Sequence, residues 1–234
     1  MNINRASIKQ NAKTIISDTR PNPILVGLVY LAIAFVLDFF INTVSGQYEM
    51  TKKILEHYYA GDYNYVPPMP QYNLWSVSLL VALAVMVIMI NVGFTIYCMN
   101  ICRFRRAGFG NLFDGFAIFG KVLWLHILMF VLIYLWSLLL IVPGIIAFYR
   151  YRMALYIMID NPQLSAIECI RESKRMMNGR KEELFMLDLS FLGWILLTTF
   201  PFVIVWVKPY TEITYVNYYL ALRHMPYTSY DRLV

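Results

Sequence analysis

Long uncharged apolar runs, separated by short polar stretches, occupy most of the chain from residue 24 onward. Those at 24–44, 73–99 and 122–142 each hold the roughly 20 residues that a helix needs to cross about 30 Å of hydrocarbon. The third run continues to residue 159. One helix over 122–159 would be about 57 Å long, nearly twice the hydrocarbon thickness, so Pro143-Gly144 is read as a corner and 145–159 as a returning span. The same reasoning divides the run 184–222 into spans at 184–199 and 203–222, with a turn at 199–202 around Pro201. Strand barrels need short alternating segments, and these runs are continuous. The pattern predicts an all-α polytopic membrane protein of about six transmembrane helices. It has two tight helical hairpins and added amphipathic surface helices, in one integral membrane domain over 1–234.

The polar stretches have their own periodicity. In 1–20, Ile8, Ala12, Ile15 and Ile16 share a helical face, and Arg5, Lys9, Lys13 and Arg20 stand against one acid, Asp18. This predicts a basic amphipathic helix on the cytoplasmic membrane surface, ended by Pro21 and Pro23. The segment 45–73 is rich in tyrosine and closes with Pro67-Pro68-Met69-Pro70. It reads as an outer cap, since tyrosine favours the headgroup level, with an interfacial helix over 49–59. Glycines 108, 110, 115 and 120 alternate with phenylalanines in 107–121, a shallow re-entrant or surface helix that lacks the GK[ST] ending of a phosphate-binding loop. In 163–180 a capping box, Ser165 to Glu168, opens a second cytoplasmic amphipathic helix. Its face is Ala166, Cys169, Ile170, Ser173, Met176 and Met177, and Gly179 stops it.

Charge sets the orientation. Of 20 Lys and Arg residues, 15 fall in the N-terminal segment, 98–121, 160–183 and the tail, all on one side of the predicted spans. Basic excess marks the cytoplasm, so both termini are expected inside the bacterial cytoplasmic membrane. The net charge of +6 sits beside apolar runs, which points to anionic lipid headgroups on the cytoplasmic side rather than to nucleic acid. The first 23 residues are too polar for a cleavable secretory signal. Three cysteines, Cys98, Cys102 and Cys169, read as reduced thiols, and no metal or cofactor motif accompanies them.

Charges inside apolar runs are the candidate chemistry. They are Asp38, Arg150, Arg152, Asp188, Lys208 and Glu212, with His126 near the start of the third span. Trp136, Pro143 and Arg150 repeat the spacing of Trp194, Pro201 and Lys208, a shared W-x6-P-x6-[RK] pattern. Either these cations snorkel to headgroups, or they pair inside the bundle, as intramembrane charges usually do. Asp38 is the expected partner of Arg150 or Arg152, Lys208 and Glu212 lie at i, i+4 spacing, and Asp188 sits near a span end.

The runs LLLIVPGIIAFYRYRMALYIMIDNP (138–162), SAIECIRESKRMMNGRK (165–181), LFMLDLSFLGWILL (184–197), KPY (208–210) and NYYLAL (217–222) resemble DUF975, a bacterial family of integral membrane proteins. The segments IKQNAK (8–13) and NLFDGFAIFGK (111–121) fit it too, while Phe200-Pro201-Phe202 stands where family patterns often have glycines. The resemblance implies a six-helix cytoplasmic-membrane protein and supplies no activity. A more distant similarity to the membrane domain attached to some glycerophosphodiester phosphodiesterases implies a lipid-related role. No HExxH, GxSxG or aspartate-rich metal motif is present, so no catalytic residue is assigned. The expectation is a non-enzymatic accessory protein that handles lipid, a membrane-active peptide or another membrane protein. A transporter with a polar intramembrane cavity and a membrane-embedded lipid-modifying enzyme are the alternatives.

Overall fold

A computed structural model describes residues 4–200 and 202–223, which form only helices and their connections. The helices are α1 (Arg5–Asp18), α2 (Pro23–Val44), α3 (Gln47–Tyr59) and α4 (Leu74–Cys102), then a 3₁₀ segment (Phe109–Ile118) leading into α5 (Phe119–Leu139). There follow α6 (Ile141–Tyr151), α7 (Ala154–Asp160), α8 (Ala166–Met176), α9 (Lys181–Leu189), α10 (Leu192–Leu197) and α11 (Ile204–Arg223). Three stretches are long and apolar enough to cross a membrane: Pro23–Val44, Leu74–Cys102 and Phe109–Leu139. The helices from α6 to α10 are each shorter than a span, and α11 carries Lys208, Glu212 and Arg223.

Asparagine starts three of the helices. Asn4 Oδ1 accepts the Ala6 N–H at 3.0 Å, Asn22 Oδ1 that of Ile24 at 2.9 Å, and Asn73 Oδ1 that of Ser76 at 2.8 Å. Each bond satisfies a first-turn donor that has no partner within its own helix. The capping box of α8 forms as its sequence predicts, with Ser165 and Glu168 bonded reciprocally. Gly179 takes a positive φ of 69° just beyond that helix.

The first hairpin turns three residues earlier than Pro143-Gly144. Leu140 is extended (φ −162°, ψ 150°), and Pro143 falls in the first turn of α6, where a missing N–H is harmless. Gly144 lets the two arms close, since a Cβ there would overlap the Ser137 side chain on α5. The returning arm then breaks at Arg152–Met153 between α6 and α7. The buried Ser173 of α8 fills the break: its hydroxyl donates to the Arg150 carbonyl at 2.8 Å and accepts the Met153 N–H at 3.2 Å. The predicted span 184–199 is likewise interrupted, at Ser190-Phe191 between α9 and α10. Pro201, the expected centre of the second corner, lies outside the described residues, as do His224 and the tail after it.

Packing centres on α4, whose Met89, Val92, Phe94, Tyr97 and Cys98 are buried. Gly93 of α4 and Gly115 of the 3₁₀ segment serve that packing, while Gly108, Gly110 and Gly120 face open space. A Cβ at Gly93 would overlap the Leu112 carbonyl, and one at Gly115 would overlap the Met89 carbonyl, so the 3₁₀ segment and α4 touch backbone to backbone. The face predicted for α1 exists, with Ile8 and Ala12 buried, and α1 packs on α11. The predicted face of α8 is also turned into the protein, against α6 and α7.

Gly93→Ala should lower the stability of the detergent-solubilised protein by about 1–3 kcal/mol, because neither backbone has room to shift. Gly110→Ala, which faces open space, should leave thermal melting unchanged. Ser173→Ala strands a buried N–H at the α6–α7 break and should cost about 1–3 kcal/mol by the same melt.

Candidate functional site

Two of the candidate charges, Lys208 and Glu212, meet where α4 and α11 lie side by side. The two helices run parallel in matched register: Lys208 Nζ donates to Asn91 Oδ1 at 3.2 Å, and Thr95 donates to Glu212 Oε1 at 2.9 Å. Both pairs advance by four residues, so one face of each helix meets the other over a full turn. A third helix joins at each step. Tyr30 of α2 donates its hydroxyl to Asn91 Oδ1 at 3.1 Å, and its ring lies 5.2 Å from the Lys208 ammonium. Tyr156 of α7 donates to Glu212 Oε1 at 3.2 Å.

Asp188 of α9 centres a second group. Tyr215 donates to Oδ1 at 2.7 Å and Tyr149 to Oδ2 at 3.0 Å, while Arg152 lies 3.8 Å from Oδ2. The Arg152 guanidinium also sits 4.7 Å from the Tyr215 ring and 5.1 Å from that of Phe148, so its flat faces are covered by aromatic carbon. A third group closes the ends of α4, α7 and α11. Asp160, whose side chain is 3% exposed, pairs with Arg103 and with Arg223 and accepts the Tyr219 hydroxyl at 2.8 Å. The bond to Asp160 raises the pKa of Arg103. Tyr149, Tyr156, Tyr215 and Tyr219 thus add hydroxyl donors to the three carboxylates, beside the cations Arg103, Arg152 and Arg223.

The sequence candidates part company here. Arg152 meets Asp188, not Asp38. Asp38 is exposed on α2, bonded by the Asn42 amide at 2.8 Å, and lines a cleft with Phe35, Phe39 and Thr51. Lys208 and Glu212 do not pair with each other, because each has a nearer partner on α4. Arg150 is half-buried and makes no ion pair among the described residues, although its carbonyl is held by Ser173. The repeated spacing of Trp136-Pro143-Arg150 and Trp194-Pro201-Lys208 therefore does not deliver equivalent cations: the internal pairing falls to Arg152 and Lys208. His126 is apart from all three groups, its Nδ1 2.8 Å from the Val122 carbonyl oxygen of its own helix.

Asn91, Thr95, Tyr30, Tyr156, Tyr215 and the Asp160 group were not among the sequence candidates. A signal was available for two of them, since Asn91 and Thr95 are polar residues four apart in a run with no charge. Cavities open elsewhere. One of about 460 Å³ lies between Gly46, Met50 and the Pro67–Pro70 turn, and two of about 260 Å³ lie at Asp38 and beside Trp206.

No curated protein and no solved structure matches this chain. Residues 138–225, from the end of α5 through α11, match the family model DUF975, described as a protein of unknown function.

Proposed function

We propose that this is a six-span protein of the bacterial cytoplasmic membrane with both termini inside, a non-enzymatic accessory protein that binds a membrane component. The component is lipid, a membrane-active peptide or another membrane protein. The six spans are α2, α4, α5 with the preceding 3₁₀ segment, α6 with α7, α9 with α10, and α11. The basic excess at the ends of α4, α8 and α11 supports the orientation.

One observation carries the accessory reading over transport: Arg152, Asp188, Lys208 and Glu212 each find an intramolecular partner. A substrate path needs polar groups held available for an ion or solute. Here their bonding capacity is used to join helices, so the cluster acts as glue. The bonds join α2, α4, α6, α7, α9 and α11 to one another, which suits a stable scaffold with its binding surface elsewhere.

A deletion strain should change in sensitivity to cationic membrane-active peptides or in lipid composition, and the wild-type chain should restore it. Asp188→Asn should cost about 2 kcal/mol of stability. Complementation by that variant should fall only as far as its membrane level falls. Lost complementation at full membrane level would instead favour a transport pathway through the cluster.

A further inference from the structure

The charges of α1 contrast with those of the bundle. Arg5, Lys9 and Lys13 recur every four residues along one helix, and none has a salt bridge among the described residues. The helix's one acid, Asp18, is at its far end and accepts the Ser17 hydroxyl at 2.8 Å. Lys9 is partly engaged, donating to the Ser190 carbonyl at 3.3 Å and lying 4.3 Å from the centre of the Phe191 ring. Burial and its two positive neighbours, Arg5 and Lys13, draw its pKa down. Lys13 is exposed and has no such anchor.

Lys13 stands at a slot of about 260 Å³ whose other walls are Ile16, Ile24, Trp194, Trp206, Val207 and Tyr210. The slot is apolar except for Lys13 and the Tyr210 hydroxyl. Its two tryptophans are half-exposed, at 46% and 56%. Its apolar lining beside one cation suits an acyl chain that carries an anionic headgroup.

We infer that this slot binds an anionic phospholipid of the surrounding bilayer, with an acyl chain between Trp194 and Trp206 and the phosphate on Lys13 beside Lys9. Charge selects the lipid: three unpaired cations on one helix oppose any zwitterionic headgroup less favourably than a net negative one. The walls beside Lys13 are apolar residues of the kind an acyl chain packs against. The inference rests on the lipid branch of the proposed function and on α1 meeting the inner leaflet.

The test uses the full chain with Trp206 as its sole tryptophan, the other four changed to phenylalanine, in vesicles of phosphatidylcholine and phosphatidylglycerol. Bromine is carried on the acyl chains of one lipid or the other. Brominated phosphatidylglycerol should quench Trp206 with a relative association about fivefold above that of brominated phosphatidylcholine. Lys13→Gln should bring the ratio near one, and Lys52→Gln on α3 should leave it. In the unmodified chain, added phosphatidylglycerol should raise the detergent melting temperature, and Lys13→Gln should abolish that rise. Inorganic phosphate should not displace the lipid. Equal quenching by the two lipids, or a preference that survives Lys13→Gln, overturns the assignment. If the deletion strain still responds to membrane-active peptides in that case, the accessory reading stands and only this site falls.

Discussion

The ladder between α4 and α11 constrains the rest of the molecule. Helix α4 is a 29-residue helix with no charged side chain, and α11 brings Lys208 and Glu212 against it. Two ions in an apolar bundle are tolerable only with hydrogen-bonding partners at fixed positions. Asn91 and Thr95 supply them at the spacing that Lys208 and Glu212 require. Once α11 is seated in that register, Tyr30 fixes α2 and Tyr156 fixes α7. Tyr215, one turn further along α11, reaches Asp188 and so sets α9. At each of these joints one partner is a phenol, a side chain that is largely apolar and carries one donor at its tip.

The breaks in the C-terminal helices fit the same logic. Pro209 inside α11 removes a backbone donor, so the Val205 carbonyl loses its partner four residues on. Gly27 of α2 faces this point, where a Cβ would lie 3.4 Å from the proline ring, close to the limit of contact. Ser173 bridges the break between α6 and α7 with one hydroxyl acting as both donor and acceptor. Irregular backbone at membrane depth is tolerated where protein covers it. The small residues and the hydroxyl are the cover.

Much of this architecture was legible in the sequence, because it depends on period and local chemistry. The long apolar runs, the capping box at Ser165, the stop at Gly179 and the faces of α1 and α8 are local features, and they appear where expected. What period cannot supply is the neighbour. Ile8 and Ala12 identify the apolar side of α1, but a lipid surface and α11 satisfy that side equally well on paper. The same gap explains the pairing of Arg152. Asp38 and Asp188 are both acids at plausible depth, and the choice was made by Tyr149 and Tyr215, which converge on Asp188 from two other helices. The hairpin corner moved to Leu140 because proline at a helix start and proline in a turn look alike in a string of letters.

Two kinds of charge therefore coexist in one small protein, and their difference bears on function. In the bundle, Asp160, Asp188 and Glu212 are bonded from several sides, and the cations beside them are absorbed in holding helices together. Changing any of them disturbs the fold before it disturbs a ligand. On α1, three cations share a stripe with no acid opposite, at the edge of an apolar slot. Their mutual repulsion, screened by water and salt, falls further when an anion binds beside them. In the core, guanidinium groups stand beside Asp160 and Asp188, whereas no salt bridge reaches the α1 stripe among the described residues. A basic stripe without a salt bridge, ending at an apolar slot, is the arrangement an anionic lipid would complete.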